Sequence, residues 1–322
     1  MNHAIRVHET GGPEKLVWEE VPKPEPKPGE VLIAQKAVGL NYIDVYFRTG
    51  LYKAPALPVT IGMEGAGVVE AVGDGVTEFA VGDRVAYAGA LGAYAEYRCA
   101  PADKLVKMPE GISFEQAAAM MLQGMTAQFL VKRTYAIKPG ETILVHAAAG
   151  GVGSILVQWA KHLGATVIGV VSTPEKAALI KSLGADHALL TTDNIPARVK
   201  EITQGAMLPV VYDSVGKDTF ITSLDCLAPR GLMITYGNAS GPITTDLGVL
   251  AAKGSLYVTR PTLNTYTAKR EDLVATAADL FAVVKSGAVK IAVNQTFPLK
   301  DAADAHRALE SRKTTGSTVL IP

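Results

Sequence analysis

From about residue 126 onward, short apolar runs alternate with stretches in which hydrophobic positions recur every third or fourth place. "TILVH" (142–146) precedes a predicted helix over 154–163, where Ile155, Leu156, Trp159, Ala160 and Leu163 share one face and Gly164 lies past the end. "TVIGVVS" (166–172) leads into "TPEKAALIKSLG" (173–184), with Pro174 suited to the first helical turn and Gly184 to the stop. "HALL", "PVVYDSV", "GLMITYG" and "GSLYVTR" supply further strands, with helical stretches at 196–204 and 218–228. Alternation of this kind means βαβ units and a parallel sheet covered on both faces.

The first third has a different rhythm. "VPKPEPKPGE" (21–30) is too proline-rich for an inner strand or a helix. "VLIAQKAVGL", "GAGVVEAVG", "GDRVAYAG" and "AYAEYRCA" then read as short strands of a barrel-like antiparallel assembly. The last sixty or so residues break the alternation again. They hold a helix in "REDLVATAADLFAVVKSG", an extended piece "IAVNQTFPL", a helix "KDAADAHRALES" and a terminal strand "STVLIP". Packed back on the first third, they complete a discontinuous domain around an inserted middle one. The expectation is an α/β protein in two domains.

The stretch "HAAAGGVG" (146–153) sits where a dinucleotide fingerprint belongs, between a strand and a helix. Glycines there let a pyrophosphate approach backbone N–H groups, and the helix N-terminus adds partial positive charge. On the G-x-G-x-x-G pattern the match is Ala148, Gly150 and Gly153, so alanine replaces the first glycine. A tight structural corner is the plain alternative. At the end of the next strand an NAD-binding unit usually carries an acid for the ribose hydroxyls. This chain has Ser172 and Thr173, with Lys176 one turn on. Hydroxyls and an ammonium attract a 2′-phosphate that a carboxylate would repel, which favours NADPH. A helix cap and a solvated lysine are the bland reading of the same residues.

Charge and cysteine narrow the function. Lys+Arg and Asp+Glu number 31 each, so the basic excess of a generic nucleic-acid or membrane-surface binder is missing. "VKRTYAIK" (131–138) is only a modest basic stretch. Two distant cysteines, Cys99 and Cys226, make neither a disulfide framework nor a four-cysteine zinc lobe, and no apolar signal core or membrane span is evident. A reduced, cytoplasmic protein is expected. His146 reads as a hydrogen-bonded structural histidine rather than a catalytic base.

Seven stretches together carry a resemblance: "AAAGGVG", "GLNYIDVYFRTGLY", "VGDRVAY", "LGAYAEY", "SFEQAAAMMLQGMTA", "VVYDSVGKDT" and "KGSLYVTRP". They resemble the zeta-crystallin-type, NADPH-dependent quinone oxidoreductases, a zinc-free branch of the medium-chain dehydrogenase/reductase superfamily, over nearly the whole chain. The resemblance implies a GroES-like β-rich catalytic domain (1–125, completed by 262–322), a Rossmann doubly wound parallel-sheet domain binding NADPH (126–261), and a homodimer. Where zinc-containing relatives carry ligands, this chain has Asn41, Met63 and a position near Leu122 or Gln123, so no metal is expected. Asn41, Tyr46 and Tyr52 would line an interdomain cleft around nicotinamide and substrate, the rings suiting a flat acceptor. Cofactor contacts would come from Asn41, Thr126, the turn Ala149, Gly150, Gly151, Val152 and Gly153, then Ser172, Thr173 and Lys176. Ser214, Val215, Tyr236, Gly237 and Ser240 would add to them at later strand ends. Relatives often have tyrosine where Thr192 stands, near the 2′-phosphate; the hydroxyl stays and the ring stacking goes. The implied activity is NADPH-dependent quinone reduction, which needs neither metal nor dedicated acid because the cofactor carries the hard step. Enone or alkenal double-bond reduction is the nearest alternative, and a non-enzymatic cofactor- or RNA-binding role the second.

Overall fold

The computed structural model describes residues 1–311 and 314–322, and these form two compact units. The first comprises 1–125, 267–285 and 291–322; the second comprises 126–266 and 286–290. The short helix Leu263–Tyr266 therefore belongs to the second unit.

The second unit is a six-stranded parallel sheet. In spatial order its strands are His187–Leu190, Thr166–Val171, Thr142–His146, Leu208–Asp213, Leu227–Thr235 and Tyr257–Thr259. Counted along the chain that order is 3-2-1-4-5-6, the doubly wound arrangement in which direction reverses between the first and fourth strands. Strands buried on both faces read as near-continuous apolar runs, and Leu144, Ile168, Val170, Val211 and Met233 form their common core. The helix Gly151–His162 starts three residues earlier than its periodicity suggests and is buried almost all round. Gln158 explains the added burial, because its amide bonds both backbone groups of Lys290, at 3.1 and 2.8 Å. The predicted helix over 218–228 shortens to Phe220–Asp225, since Leu227 already opens the next strand.

In the first unit the long strand Glu30–Leu40 lies at the centre of a seven-stranded sheet. It pairs antiparallel with Glu64–Val72, with Tyr97–Pro101 at one end and with the C-terminal strand Ser317–Ile321 at the other. The fold is thus the expected pair, a β-rich GroES-like unit and a Rossmann-type unit. Polar Gln35 survives inside that central strand because its amide donates to the carbonyls of Ala93 and Ala95, at 2.5 and 2.8 Å. A buried amide without such partners would be destabilising.

The run "NYIDVYFRTG", in a region expected to be mostly strands, contains a helix, Tyr42–Thr49. Asn41 precedes it in extended conformation, and Gly50 ends it with a left-handed φ of 84°. Asp44, Val45, Tyr46 and Arg48 are buried, two charged groups among four, and the partners of the charged pair explain how. Arg48 is 1% exposed and binds the Glu310 carboxylate through two nitrogens, at 2.9 and 2.8 Å. It also donates to His306 Nδ1 at 3.0 Å. Arginine only donates, so Nδ1 accepts and the neutral ring carries its proton on Nε2. That proton faces the Tyr94 hydroxyl at 3.1 Å, and Tyr94 donates to Asp44 Oδ2 at 3.0 Å. Burial, seconded by the Arg48 charge, drives His306 down to about 3 and keeps the ring neutral. The chain of donors runs one way from Arg48 to Asp44.

Removing the Tyr94 hydroxyl leaves Asp44 short of a donor and His306 short of an acceptor. Tyr94→Phe is expected to lose about 1–3 kcal/mol of stability, read from urea denaturation; an unchanged midpoint would show that neither group relies on it.

Candidate active site

Two groups of side chains gather the predicted site residues, one in each unit. In the first unit the backbone N–H of Asn41 donates to Asp44 Oδ2 at 2.9 Å, which fixes the start of the helix. Its amide Nδ2 donates to Glu64 Oε2 at 2.6 Å, while its Oδ1 accepts from Gln123 Nε2 at 3.0 Å. Ser317 donates to Gln123 Oε1 at 2.7 Å, and Glu64 Oε1 accepts from the backbone of Leu122 at 2.8 Å. All four side chains are buried. Asn41 is thus bonded to Gln123, one of the two positions that the resemblance sets against a zinc ligand, and Met63 is buried at 6% exposure. Among the described residues no group of three or more His, Cys, Asp or Glu is arranged to hold a metal ion.

Burial pushes Glu64 up to about 8, opposed by the Asn41 and Leu122 donors. It likewise pushes Asp44 up to about 7 against the Asn41 and Tyr94 donors. Tyr46 and Tyr52 lie on the same helix and the turn after it, with ring centroids 5.1 Å apart in an edge-to-face contact. Tyr42 approaches Tyr46 at 5.7 Å and Phe47 approaches Tyr52 at 5.8 Å. Tyr46 is 8% exposed, so packing accounts for most of its ring, while Tyr52 is half-buried.

In the second unit the predicted cofactor residues fall at the carboxyl ends of the strands, where open α/β sheets bind ligands. After the first strand the chain turns tightly: Ala147 has φ 50°, and Gly150 N–H bonds back to its carbonyl at 2.9 Å. A Cβ on Gly153 would overlap the Ala147 carbonyl and come within 2.9 Å of Ala148 Cα, so only glycine lets this helix pack so close to the strand. Ala148, in place of the first fingerprint glycine, is accommodated because its methyl lies against Gly169. Gly150 caps the helix without a side-chain bond, leaving the N–H groups of Gly151, Val152 and Gly153 as donors for a ligand.

Ser172 is exposed, and Thr173 caps the next helix by accepting from Lys176 N at 3.3 Å. Thr192 is exposed after the third strand, and Thr126 is half-buried in the helix Met121–Phe129. The loops 214–219 and 236–241 bring Ser214, Val215, Tyr236, Gly237 and Ser240 together. Ser240 bonds the Val215 carbonyl through both its N–H and its hydroxyl, at 2.8 and 2.9 Å.

Sequence reasoning passed over the residue that builds these loops. Asp213 is fully buried, and Oδ1 accepts from the N–H groups of Val215 and Gly216 at 2.8 and 3.0 Å. Its Oδ2 accepts from the hydroxyls of Thr219 and Ser223, both at 2.7 Å. An acid ending the apolar run "VVYD" was the available signal. Glu64, alone among small and apolar neighbours in "GMEGAG", gave a similar one. His146 departs from expectation: it is buried, yet Nε2 has no hydrogen-bond partner among the described residues. Burial lowers its pKa, with the Asp213 charge pulling the other way, so it stays neutral.

Two family models match the chain: the alcohol dehydrogenase GroES-like domain over 27–110 and the zinc-binding dehydrogenase model over 151–281. A quinone oxidoreductase of Pseudomonas aeruginosa is 56% identical over 97% of each chain. A 2-haloacrylate reductase of a Burkholderia species is 46% identical, covering 99% of this chain and 98% of that one. The structure of Escherichia coli quinone oxidoreductase complexed with NADPH superposes with a TM-score of 0.98 at 50% identity. That match covers 99% of this chain and 100% of the other.

Raised carboxyls make stability depend on pH. Asp44 and Glu64 hold their protons to about 7 and about 8 when folded, above their unfolded values. Their contribution is full below about pH 4, declines as pH rises, and levels off above the folded values, at most about 1.4 kcal/mol per pH unit for each. Asp44→Asn is expected to make this decline shallower in urea titrations between about pH 5 and 9; a parallel curve would mean Asp44 is ionised throughout. Separately, Gly153→Ala is expected to displace the turn and abolish saturable NADPH binding in fluorescence titrations, an effect that unaltered affinity would refute.

Proposed function

The chain belongs to the quinone oxidoreductases of the medium-chain dehydrogenase/reductase superfamily, and from that membership we propose that it is an NADPH-dependent, zinc-independent quinone reductase. The observation that carries the reading is the carboxyl edge of the second unit. There a glycine turn, an open helix N-terminus and the Asp213-held loops present backbone donors side by side. These groups fit a dinucleotide: the turn admits a pyrophosphate against the helix, and Ser172, Lys176 and Thr192 offer donors for a 2′-phosphate. Bound NADPH supplies the hydride.

The chain's own residues bind, orient and exclude water. Ser214, Val215, Tyr236, Gly237 and Ser240 extend the cofactor surface along the strand ends, with Thr126 as a further contact. Asn41 has one amide hydrogen left after its bond to Glu64, and it donates to the acceptor's carbonyl oxygen, where charge builds as hydride arrives. Tyr46 and Tyr52 offer ring edges and faces to a flat quinone. His146 is buried and neutral, and solvent protonates the reduced oxygens. Reduction of an electron-poor C=C is the second reading, favoured by the Burkholderia relative named for 2-haloacrylate.

The same reading includes a homodimer. The outermost strand Tyr257–Thr259 pairs on one side only and exposes Tyr257 and Val258, an edge that a second copy would cover. Location in the cytoplasm accords with the unpaired thiols Cys99 and Cys226. No described helix is long and apolar enough to cross a membrane.

Nicotinamide fluorescence titration tests the cofactor assignment. NADPH is expected to bind more tightly than NADH, and Lys176→Ala to weaken NADPH by about ten- to a hundredfold, the worth of one charge-assisted hydrogen bond, while sparing NADH. Equal binding of the two cofactors would remove the phosphate reading. A panel of quinones, enones and 2-haloacrylates ranked by kcat/KM then decides between the acceptor classes, and light scattering at twice the chain mass would establish the dimer.

A further inference from the structure

In the first unit the bonds Ser317–Gln123–Asn41–Glu64 form a chain whose direction is set at its Glu64 end. Once ionised, above about pH 8, Glu64 only accepts, so Asn41 must turn its NH2 toward it. Asn41 Oδ1 then faces Gln123 Nε2, and Gln123 Oε1 faces the Ser317 hydroxyl. Glu64 itself has no room to turn. Its other oxygen is held by Leu122 N–H at 2.8 Å, and a Cβ on Gly39 would overlap both the carboxylate and the Ala118 carbonyl. Gln123 and Ser317 alone impose no direction, because an amide presents either end and a hydroxyl donates or accepts.

We propose that Glu64 is a positioning residue that sets the polarity of the Asn41 amide, so that Asn41 offers an N–H, rather than a carbonyl lone pair, to the acceptor's oxygen. The inference rests on the reading that Asn41 touches the acceptor. It makes the preferred substrate one whose reacting end carries a carbonyl-type oxygen, and it assigns that preference to a residue the substrate never meets.

Reversal of the chain is chemically complete. With glutamine at position 64, its oxygen takes the Leu122 N–H and its NH2 faces Asn41. The Asn41 amide then turns over, Gln123 follows, and Gln123 NH2 ends on the Ser317 oxygen. Ser317 keeps its own acceptor, the Ala119 carbonyl at 3.0 Å. Each bond of the chain keeps one donor and one acceptor, yet a lone pair now stands where the native protein offers N–H.

The decisive experiment compares the wild type, Glu64→Gln and the carboxylate swap Glu64→Gln/Gln123→Glu, each with NADPH and duroquinone, at about pH 9, where Glu64 is ionised. Thermal melting and the side-chain amide resonances of 15N-labelled asparagine are recorded alongside. Both variants are expected to melt as the wild type does and to lose about ten- to a hundredfold in kcat, with the KM for NADPH unchanged. The downfield Asn41 amide proton of a carboxylate partner should vanish in Glu64→Gln. If Glu64→Gln retains wild-type kcat, or if the swap restores it, Glu64 only fills space and charge, and the proposal falls. A Glu64→Gln protein that fails to fold beside a folded, active swap overturns it equally; one beside a folded, inactive swap supports it. Failure of both to fold also overturns it, because the reversed chain keeps one donor and one acceptor in each bond. Asn41→Ala separates the two layers: unchanged kcat there removes the site reading itself, whereas loss there with none in Glu64→Gln removes only the role of Glu64.

Discussion

A guanidinium at 1% exposure is the constraint around which the first unit is organised. A guanidinium is a permanent charge, and left unpaired at that depth it would be destabilising by several kcal/mol. It is tolerated because Glu310 meets it with two oxygens and His306 offers a lone pair. That lone pair requires a neutral imidazole, which burial provides. The ring's remaining proton then dictates the direction of the Tyr94 hydroxyl, and Tyr94 in turn satisfies Asp44. Asp44 holds the backbone N–H of Asn41, the residue that precedes the helix. The position of Asn41 is thereby tied through buried side chains to His306 and Glu310, near the C-terminus.

The second unit uses the same device in a shorter form. Asp213 ends the fourth strand of its sheet, and four donors converge on its two oxygens. Two are backbone groups of the next loop and two are hydroxyls from the turn and helix beyond. Such a carboxylate acts as a template for irregular backbone, which otherwise has few ways to hold one shape. The loop it holds carries Ser214 and Val215, and Ser240 docks onto that loop by two further bonds. In each unit a buried acid fixes loop or helix-start geometry.

That division explains what was legible in the sequence. The Rossmann-type unit follows from periodicity, since its inner strands are buried on both faces and the helices after its first two strands stop before Gly164 and Gly184. The fingerprint was readable despite Ala148, because the spacing of Gly150 and Gly153 reflects a steric need that the structure locates at the Ala147 carbonyl. The helix Tyr42–Thr49 was not readable. Its inward face carries Asp44 and Arg48, so the hydrophobic pattern that announces a helix is replaced by charges whose partners lie some 50 and 260 residues away. The role of Glu64 was hidden for the same reason, since its partners Asn41 and Leu122 are remote in sequence. Local pattern reports packing faces; it does not report which distant donor a buried acid will meet.

A hydrogen-bonded set of neutral amides organises its surroundings differently from a bound cation. A metal ion organises its ligands by charge and leaves an open coordination position as a Lewis acid. Here Asn41 and Gln123 are neutral amides, which have no intrinsic direction in a network because either end serves as donor or acceptor. Some group must break that symmetry if one amide is to offer a defined hydrogen. Among the side chains joined here, Glu64 alone carries two acceptors and no donor in its ionised form, and it is sterically confined by Gly39 and the Leu122 N–H. A single N–H aimed at a developing oxyanion is a weaker activator than a dication. Such a site suits acceptors that are already electron-poor and gives little help to an unactivated alcohol or ketone. The chemistry open to the chain thus follows from what its buried groups can orient, and the polarity of one amide separates a site that attracts a carbonyl oxygen from one that repels it.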